Sequence, residues 1–363
     1  MEALRALVTE HAAVSLALGG LIIGIVFGAV VQRTNFCTMG SLSDWQNFGD
    51  TRRLRSWWLA TATAIAGVQI LRGLGVVDPT RSMYLMPTFD WAGAVIGGLL
   101  FGFGMVFAGG CASRNLVRAG TGDLRSLLTI VVMAITGYVA IGGLLGPVRV
   151  ALSSATAVDL AALRIPNQGL GAVLAHVTGL PLARADAAAA VAVVAAIAAW
   201  CFASPTFRAS PIHVVAGLGV GACVVAGWAL TGLAFDELSD APVAPGSLTF
   251  VRPAGDALEW MQRFTASRIP GFGVTAVFGT MLGAFLTAAV GRRLELATFY
   301  DVSDTVRHLF GAVLMGIGGV VALGCTVGQA VTGAATLAMS SFLVFAALVV
   351  GGVVGMKVLE NLD

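Results

Sequence analysis

Residues 97–111 read GGLLFGFGMVFAGGC and residues 310–325 read FGAVLMGIGGVVALGC. Aligned on their final cysteines, Gly102 falls on Gly316, Gly104 on Gly318, Ala108 on Ala322 and Gly110 on Gly324. Each stretch ends an apolar run on a Gly-Cys step and then turns polar, with ASRNLVRAGTG in the first copy and TVGQAVTG in the second. One glycine pair in such a segment carries no information, because small residues are common wherever helices pack in lipid. Four small positions, a cysteine and a polar continuation in one register point to a duplicated unit.

Composition identifies the solvent around these copies. Of 363 residues, 57% are hydrophobic and only 11% charged, where soluble domains carry roughly 25% charged residues. The chain therefore reads as an all-α polytopic membrane protein. At about 20 apolar residues per crossing, spans are expected near 12–33, 56–77, 91–109, 126–146, 186–203, 212–234, 271–290, 308–324 and 336–356, about nine in all. The stretch 147–185, interrupted by Pro147, Pro166 and Pro181, reads as a connection with short interfacial helices. So does 235–270, with an amphipathic piece around Trp260. The opening MEALRALVTEH carries Glu2 and Glu10 and precedes a run long enough to span, so no cleavable signal peptide is read there. A net charge of +2 gives nucleic acid no purchase, and five cysteines without a soluble ectodomain do not form a disulfide framework.

Arginines set the orientation. Connections after odd-numbered spans hold Arg52, Arg53, Arg55, Arg114, Arg118, Arg125, Arg208, Arg292, Arg293 and Arg307, whereas those after even-numbered spans hold fewer over greater length. The N-terminus is expected outside and the C-terminus inside. The two cysteine copies follow spans three and eight, an odd offset, so they run in opposite directions. That is an inverted-topology repeat, a common plan of transport proteins. Repeat one is expected over about 12–146 and repeat two over about 212–356, within a single transport domain covering 1–363. A weaker echo pairs GGLIIGIVFG (19–28) with AGLGVGACVVAG (216–227).

Non-helical backbone at membrane depth is tolerated only where it is buried in protein or lines a cavity. Re-entrant breaks at Cys111 and Cys325 therefore read as a substrate path, and Cys37 in QRTNFCTMG ends the first span in the same way. Helix termini with free N–H groups favour an anion, and a thiol offers a weak, polarizable donor suited to sulfur. The candidate lining is Cys37, Cys111 and Cys325 with Gly110, Gly324, Asn115 and Gln329. Arg33 and Arg114, set against the motifs, are candidate anion guides, with ordinary anchoring as the alternative. Cys201 and Cys223 lie in apolar runs and read as small buried hydrophobes. There is no CxxC pair, and His11, His176, His213 and His308 are scattered, so neither metal nor cofactor is expected. SRNLVRAGTGDL lacks the Gly-Lys-Ser/Thr end of a phosphate loop, and no enzymatic activity is read. Asp90, Asp123, Asp301 and Asp304 fall at span ends, leaving no isolated intramembrane acid as a proton carrier.

RTNFCTMG, GFGMVFAGGCASRNLVRAGTG and ALGCTVGQAVTG resemble the YeeE/YedE sulfur transport family of bacterial inner-membrane proteins, and the resemblance covers essentially the whole chain. It implies an hourglass-like, pseudo-two-fold helical protein with short helices entering from both sides. It implies uptake of thiosulfate, handed between Cys37, Cys111 and Cys325 without enzymatic turnover, and a cytosolic sulfur-carrier protein of the TusA type as a partner. The resemblance departs at Gln329, where thiosulfate-type members often carry histidine, and at SRNLVR, similar to members linked to selenium. The expected function is thus a permease for thiosulfate or a related small sulfur anion. The alternatives are transport of a selenium species, or a membrane-bound sulfurtransferase or redox protein using a cysteine persulfide.

Overall fold

In the computed structural model, which describes residues 5, 8–239, 242–266 and 268–362, the apolar runs form long helices. Eight among the described residues are long and apolar enough to cross a membrane, starting at Ala12, Trp91, Leu124, Leu182, Pro211, Phe272, Val302 and Met339. Glu2 and positions 240, 241 and 267 of the 235–270 connection lie outside the described residues.

The first half runs α1 (Ala12–Thr34), α2 (Thr38–Phe48), α3 (Arg52–Gly73), α4 (Trp91–Phe107), α5 (Ala112–Gly120) and α6 (Leu124–Ile141). The connection contains α7 (Gly146–Thr156), α8 (Leu170–Thr178), α9 (Leu182–Ala203) and the single turn α10 (Pro205–Arg208). The second half runs α11 (Pro211–Ala234), α12 (Val251–Gln262), α13 (Phe272–Val290), α14 (Val302–Val321) and α15 (Met339–Glu360). A short antiparallel ribbon, absent from the sequence reading, pairs Thr88–Asp90 with Ala157–Asp159.

Helix α3 is as long as the eight but more polar, with Arg52, Arg53 and Arg55 at its start and Arg72 at its end. It begins four residues before the expected span. Asp50 accepts a hydrogen bond from the Arg52 backbone N–H (2.9 Å) and so holds the first turn, while the arginine heads are paired, Arg52 with Asp50, Arg53 with Asp44 and Arg72 with Asp186. Trp57, Ala60, Ala64, Ile65 and Val68 bury the other face.

Helices α4 and α14 both stop by the same device. The chain turns through a left-handed residue, Gly109 (φ 67°) in one and Leu323 (φ 57°) in the other. The next amide reaches back five residues, Gly110 N to Met105 O (2.8 Å) and Gly324 N to Gly319 O (2.7 Å), which satisfies carbonyls left over at a helix end. After the first break comes regular helix, α5. The second is followed by a π-helical turn, Gly328–Gly333, and a 3₁₀ turn, Ala334–Thr336.

The helix packing is reciprocal. Helix α1 lies on α13 and α3 on α11, while α4 lies on α15 and α6 on α14. The α4–α14 crossing is closest at four glycines. A Cβ on Gly97 would run into Gly318 O and Ala322 N, and one on Gly311 into Gly104 O and Ala108 N. Each contact in the first pair has its counterpart, 214 positions on or back, in the second, the same step that separates Cys111 from Cys325. Side chains there would force the backbones apart, and without a hydrophobic drive in lipid such close contact is what holds helices together. Trp57, Trp228, Phe101 and Phe250 are among the largest fully buried side chains.

Candidate functional site

Each motif cysteine stands at the N-terminal end of a short helix. Helix α1 closes at Asn35, in left-handed conformation, and Phe36 stacks on Trp57 with ring centres 4.5 Å apart. This turn delivers Cys37 to the cap position of α2, where its Sγ accepts from Gly40 N (3.4 Å). Cys111 is the cap residue of α5 and fully buried. Its Sγ lies 3.3 Å from Ser113 Oγ and 4.0 Å from Thr38 Oγ1. Cys325, also fully buried, accepts from Gly328 N (3.4 Å) and lies 3.9 Å from Thr249 Oγ1. Cys111 is an electrostatic neighbour of both Cys37 and Cys325. The three thiols are thereby brought into one interior region, with Cys111 between the others.

The remaining sequence candidates divide into three groups. Arg114 reaches the thiols: its Nη2 donates to Asn35 Oδ1 (3.1 Å), its Nη1 is buried without a partner, and its charge acts on Cys37 and Cys111. Gly110 lies under it, so that a Cβ there would stand 3.2 Å from Arg114 Cγ. Asn115 and Gln329 brace the breaks. Asn115 Nδ2 donates to Gly110 O (2.7 Å) and Cys111 O (3.3 Å), leaving Oδ1 buried and unpartnered. Gln329 Nε2 donates to Ala322 O (2.5 Å), and its Oε1 accepts from Ser341 Oγ (2.7 Å). Both ends of Gln329 are thus engaged with protein, and Gly324 packs against its stem. Arg33 stands apart, exposed on the last turn of α1.

Arg118, on the same face as Arg114, turns away from the thiols. Its Nη1 donates to Gly109 O (3.1 Å), and its Nη2 pairs with Asp123 at 2.6 Å. Burial raises the Asp123 carboxyl, but the Arg125 hydrogen bond and the charge of Arg118 outweigh it and hold the group below its ordinary range. His308 is buried and donates from Nδ1 to Asp304 O (2.8 Å). Cys201 donates to Arg55 O (3.3 Å), and Cys223 is buried on α11.

Sequence reading missed three contributors. Thr249 comes from the 235–270 connection, Thr38 from the residue after Cys37, and Thr61 of α3 donates to Ala330 O (2.8 Å) in the π-helical turn. The turn is further held by Thr332 Oγ1 to Leu248 O (2.6 Å) and by Trp228 Nε1 to Thr332 O (3.3 Å). Single π-helical turns of this kind occur frequently at functional sites. No local pattern marks Thr249, since it reaches Cys325 only through the tertiary fold.

A multi-pass helical protein with interrupted helices meeting inside the bundle has the build of a membrane transporter rather than of an enzyme. The chain belongs to the sulfur transport family, whose model, described as "Sulphur transport", matches residues 33–354. It is similar to the thiosulfate transporter TsuA of Escherichia coli K12, 26% identical over 93% of each chain. TsuA of Spirochaeta thermophila is 27% identical over 89% of this chain and 93% of its own. The probable transporter YedE of Escherichia coli K12 is 34% identical over 29% of this chain and 24% of its own. These relatives are named as transporters, and the chain is a sulfur-anion transporter in that coarse sense. The family is the one that the cysteine motifs resemble.

Proposed function

We propose that the chain imports thiosulfate, or a related small sulfur anion, along a path formed by Cys325, Cys111 and Cys37. The observation that carries this reading is that a cysteine stands at the start of three helical segments, Cys37 and Cys111 as cap residues and Cys325 accepting from Gly328 N, with Cys111 an electrostatic neighbour of the other two. The relatives named thiosulfate transporters support the substrate. The reciprocal packing supports two inverted repeats, about 12–146 and 212–356, with α3 as a ninth crossing equivalent to α13. Orientation follows the arginines: N-terminus periplasmic and C-terminus cytoplasmic, in a bacterial inner membrane.

Charge arithmetic decides what the path needs. A helix N-terminus contributes up to about 2 kcal/mol to an anion in a favourable buried geometry, so three supply on the order of 6 kcal/mol. Burying an unpaired ion costs tens of kcal/mol in a fully apolar medium. Helix ends alone are insufficient, and the free Nη1 of Arg114 supplies the charged donor between Cys111 and Cys37. Neutral thiols serve better than thiolates, which would repel a dianion; S–H groups donate weakly to the soft sulfur end while N–H groups meet the oxygens. Persulfide chemistry would need a base beside a thiol, and among the described residues the side-chain partners of Cys111 and Cys325 are the hydroxyls of Ser113, Thr38 and Thr249. That observation favours transport over the sulfurtransferase reading. A TusA-type sulfur carrier is the proposed cytosolic receiver.

The test is uptake of sulfur-35 thiosulfate into proteoliposomes holding only this protein, with sulfate and selenite as competitors. Uptake competed by unlabelled thiosulfate and lost in Cys111→Ala is the expected result. Uptake of selenium-75 selenite in a parallel assay, without uptake of thiosulfate, would move the substrate, and no uptake of either anion would overturn the reading.

A further inference from the structure

Helix α9 stands outside the reciprocal packing, resting on α3 and α8. A groove of about 680 Å³ runs along the α3–α9 seam and continues into a second of about 600 Å³ through Ala66, Ile70 and Val194, which line both. Its walls are mainly small and apolar, as at Ala190 and Gly67, and its one ion pair stands at the end: Arg72 Nη1 to Asp186 Oδ2, 2.7 Å. Side-chain exposures of 31% for Arg72 and 16% for Asp186 leave both within reach of a ligand. The combined groove follows α3 from Leu59 to Arg72, about 20 Å at 1.5 Å per residue. One leaflet with its headgroup region measures about 20–22 Å, half the full bilayer thickness. The groove is therefore one phospholipid long.

We propose that this groove is a binding site for one zwitterionic phospholipid, its acyl chain on the alanine floor, its phosphate on Arg72 and its ammonium on Asp186. The charge pattern selects the headgroup. One base and one acid leave the site without net charge, so an anionic headgroup gains at Arg72 and loses at Asp186, whereas a phosphate–ammonium pair satisfies both. Arg72 has guanidinium donors beyond the one given to Asp186, and a carboxylate accepts several hydrogen bonds. Gln69, half-buried on the same wall, adds an amide. The lipid would lie against the helix whose Thr61 holds the π-helical turn after Cys325, and so support the transport body from behind.

The test is native mass spectrometry of the full chain in mild detergent, offered equal amounts of phosphatidylethanolamine and phosphatidylglycerol of matched chains. The wild type is expected to retain phosphatidylethanolamine about tenfold over phosphatidylglycerol, equivalent to about 1.4 kcal/mol. Asp186→Asn leaves Arg72 unopposed and is expected to reverse the preference. Ala66→Leu fills the groove and is expected to lose both lipids with an unchanged thermal melt. Equal retention of the two lipids by the wild type, an unaltered preference in Asp186→Asn, or a dimer that carries no lipid would each overturn the proposal.

Discussion

At Cys111 the chain leaves its helix through Gly109 and resumes as regular helix carrying Arg114 and Arg118. At Cys325 it leaves through Leu323 and resumes as a π-helical turn, with no charged residue between 322 and 338. The turn geometry, the backward amide bond and the glycine crossing are the same in both. What differs is the lining. Packing in lipid tolerates little change at positions where backbones touch, and the scaffold of the two breaks is alike there. After the first cysteine the chain offers a charged donor, Arg114, and near the second the partners are a hydroxyl and a backbone N–H group.

The strongest way to break this comparison is to remove the thiols. Cys111→Ala and Cys325→Ala are each expected to lower the initial rate of thiosulfate uptake by about 100-fold, equivalent to about 2.7 kcal/mol. Cys201→Ala and Cys223→Ala are expected to stay within about twofold of wild type. If all four variants behave alike in proteoliposomes, the two breaks are not the path.

A second test addresses the shared scaffold. A Cβ on Gly102 would meet Leu348 O, and one on Gly316 would meet Met133 O. Gly102→Leu and Gly316→Leu should each destabilise the fold by about 3 kcal/mol, the cost of forcing bulk into a packed interface. Thermal unfolding in detergent checks this, and a large effect at only one position would show that the halves are packed differently.

The turn residues sharpen the comparison further. A side chain in left-handed conformation costs roughly 1–2 kcal/mol, and Leu323 bears that cost where Gly109 does not. Leu323→Gly should stabilise by about 1 kcal/mol and Gly109→Leu should destabilise by about as much. The smallest effect concerns pH. Since the Asp123 carboxyl is held below its ordinary range by Arg125 and Arg118 against the effect of burial, its contribution is fully present above the unfolded value. It is lost only as pH falls through the lower folded value. The melting temperature should therefore not respond to this group from pH 7 to about 5, and Asp123→Asn should flatten part of the fall below about pH 4.

Much of this was readable in the sequence because lipid leaves few options. Runs of about 20 apolar residues must be helices, and the breaks at Cys111 and Cys325 follow from the aligned glycines. The start of α3 was not readable, since three arginines within four positions look like a loop until Asp50 is seen holding the first turn. Arg33 stands apart from the thiols for a reason the helix period could have supplied. The buried stripe of α1 runs Leu16, Gly20, Gly24, Phe27, Val31, and Arg33 lies off it. Gln329 stands four residues after a motif cysteine, as Asn115 does, yet both of its polar ends turn back to Ala322 and Ser341. Which way an amide faces is set by tertiary partners that no local pattern encodes.

The central claim is that the anion passes Cys325 and Cys111 on one path. It is tested most directly by alkylation of Cys111 and Cys325 in a Cys201→Ala/Cys223→Ala background, read by mass spectrometry with and without thiosulfate. Thiosulfate should slow modification of both thiols with the same half-protecting concentration. Undiminished modification of both at saturating thiosulfate would contradict the account.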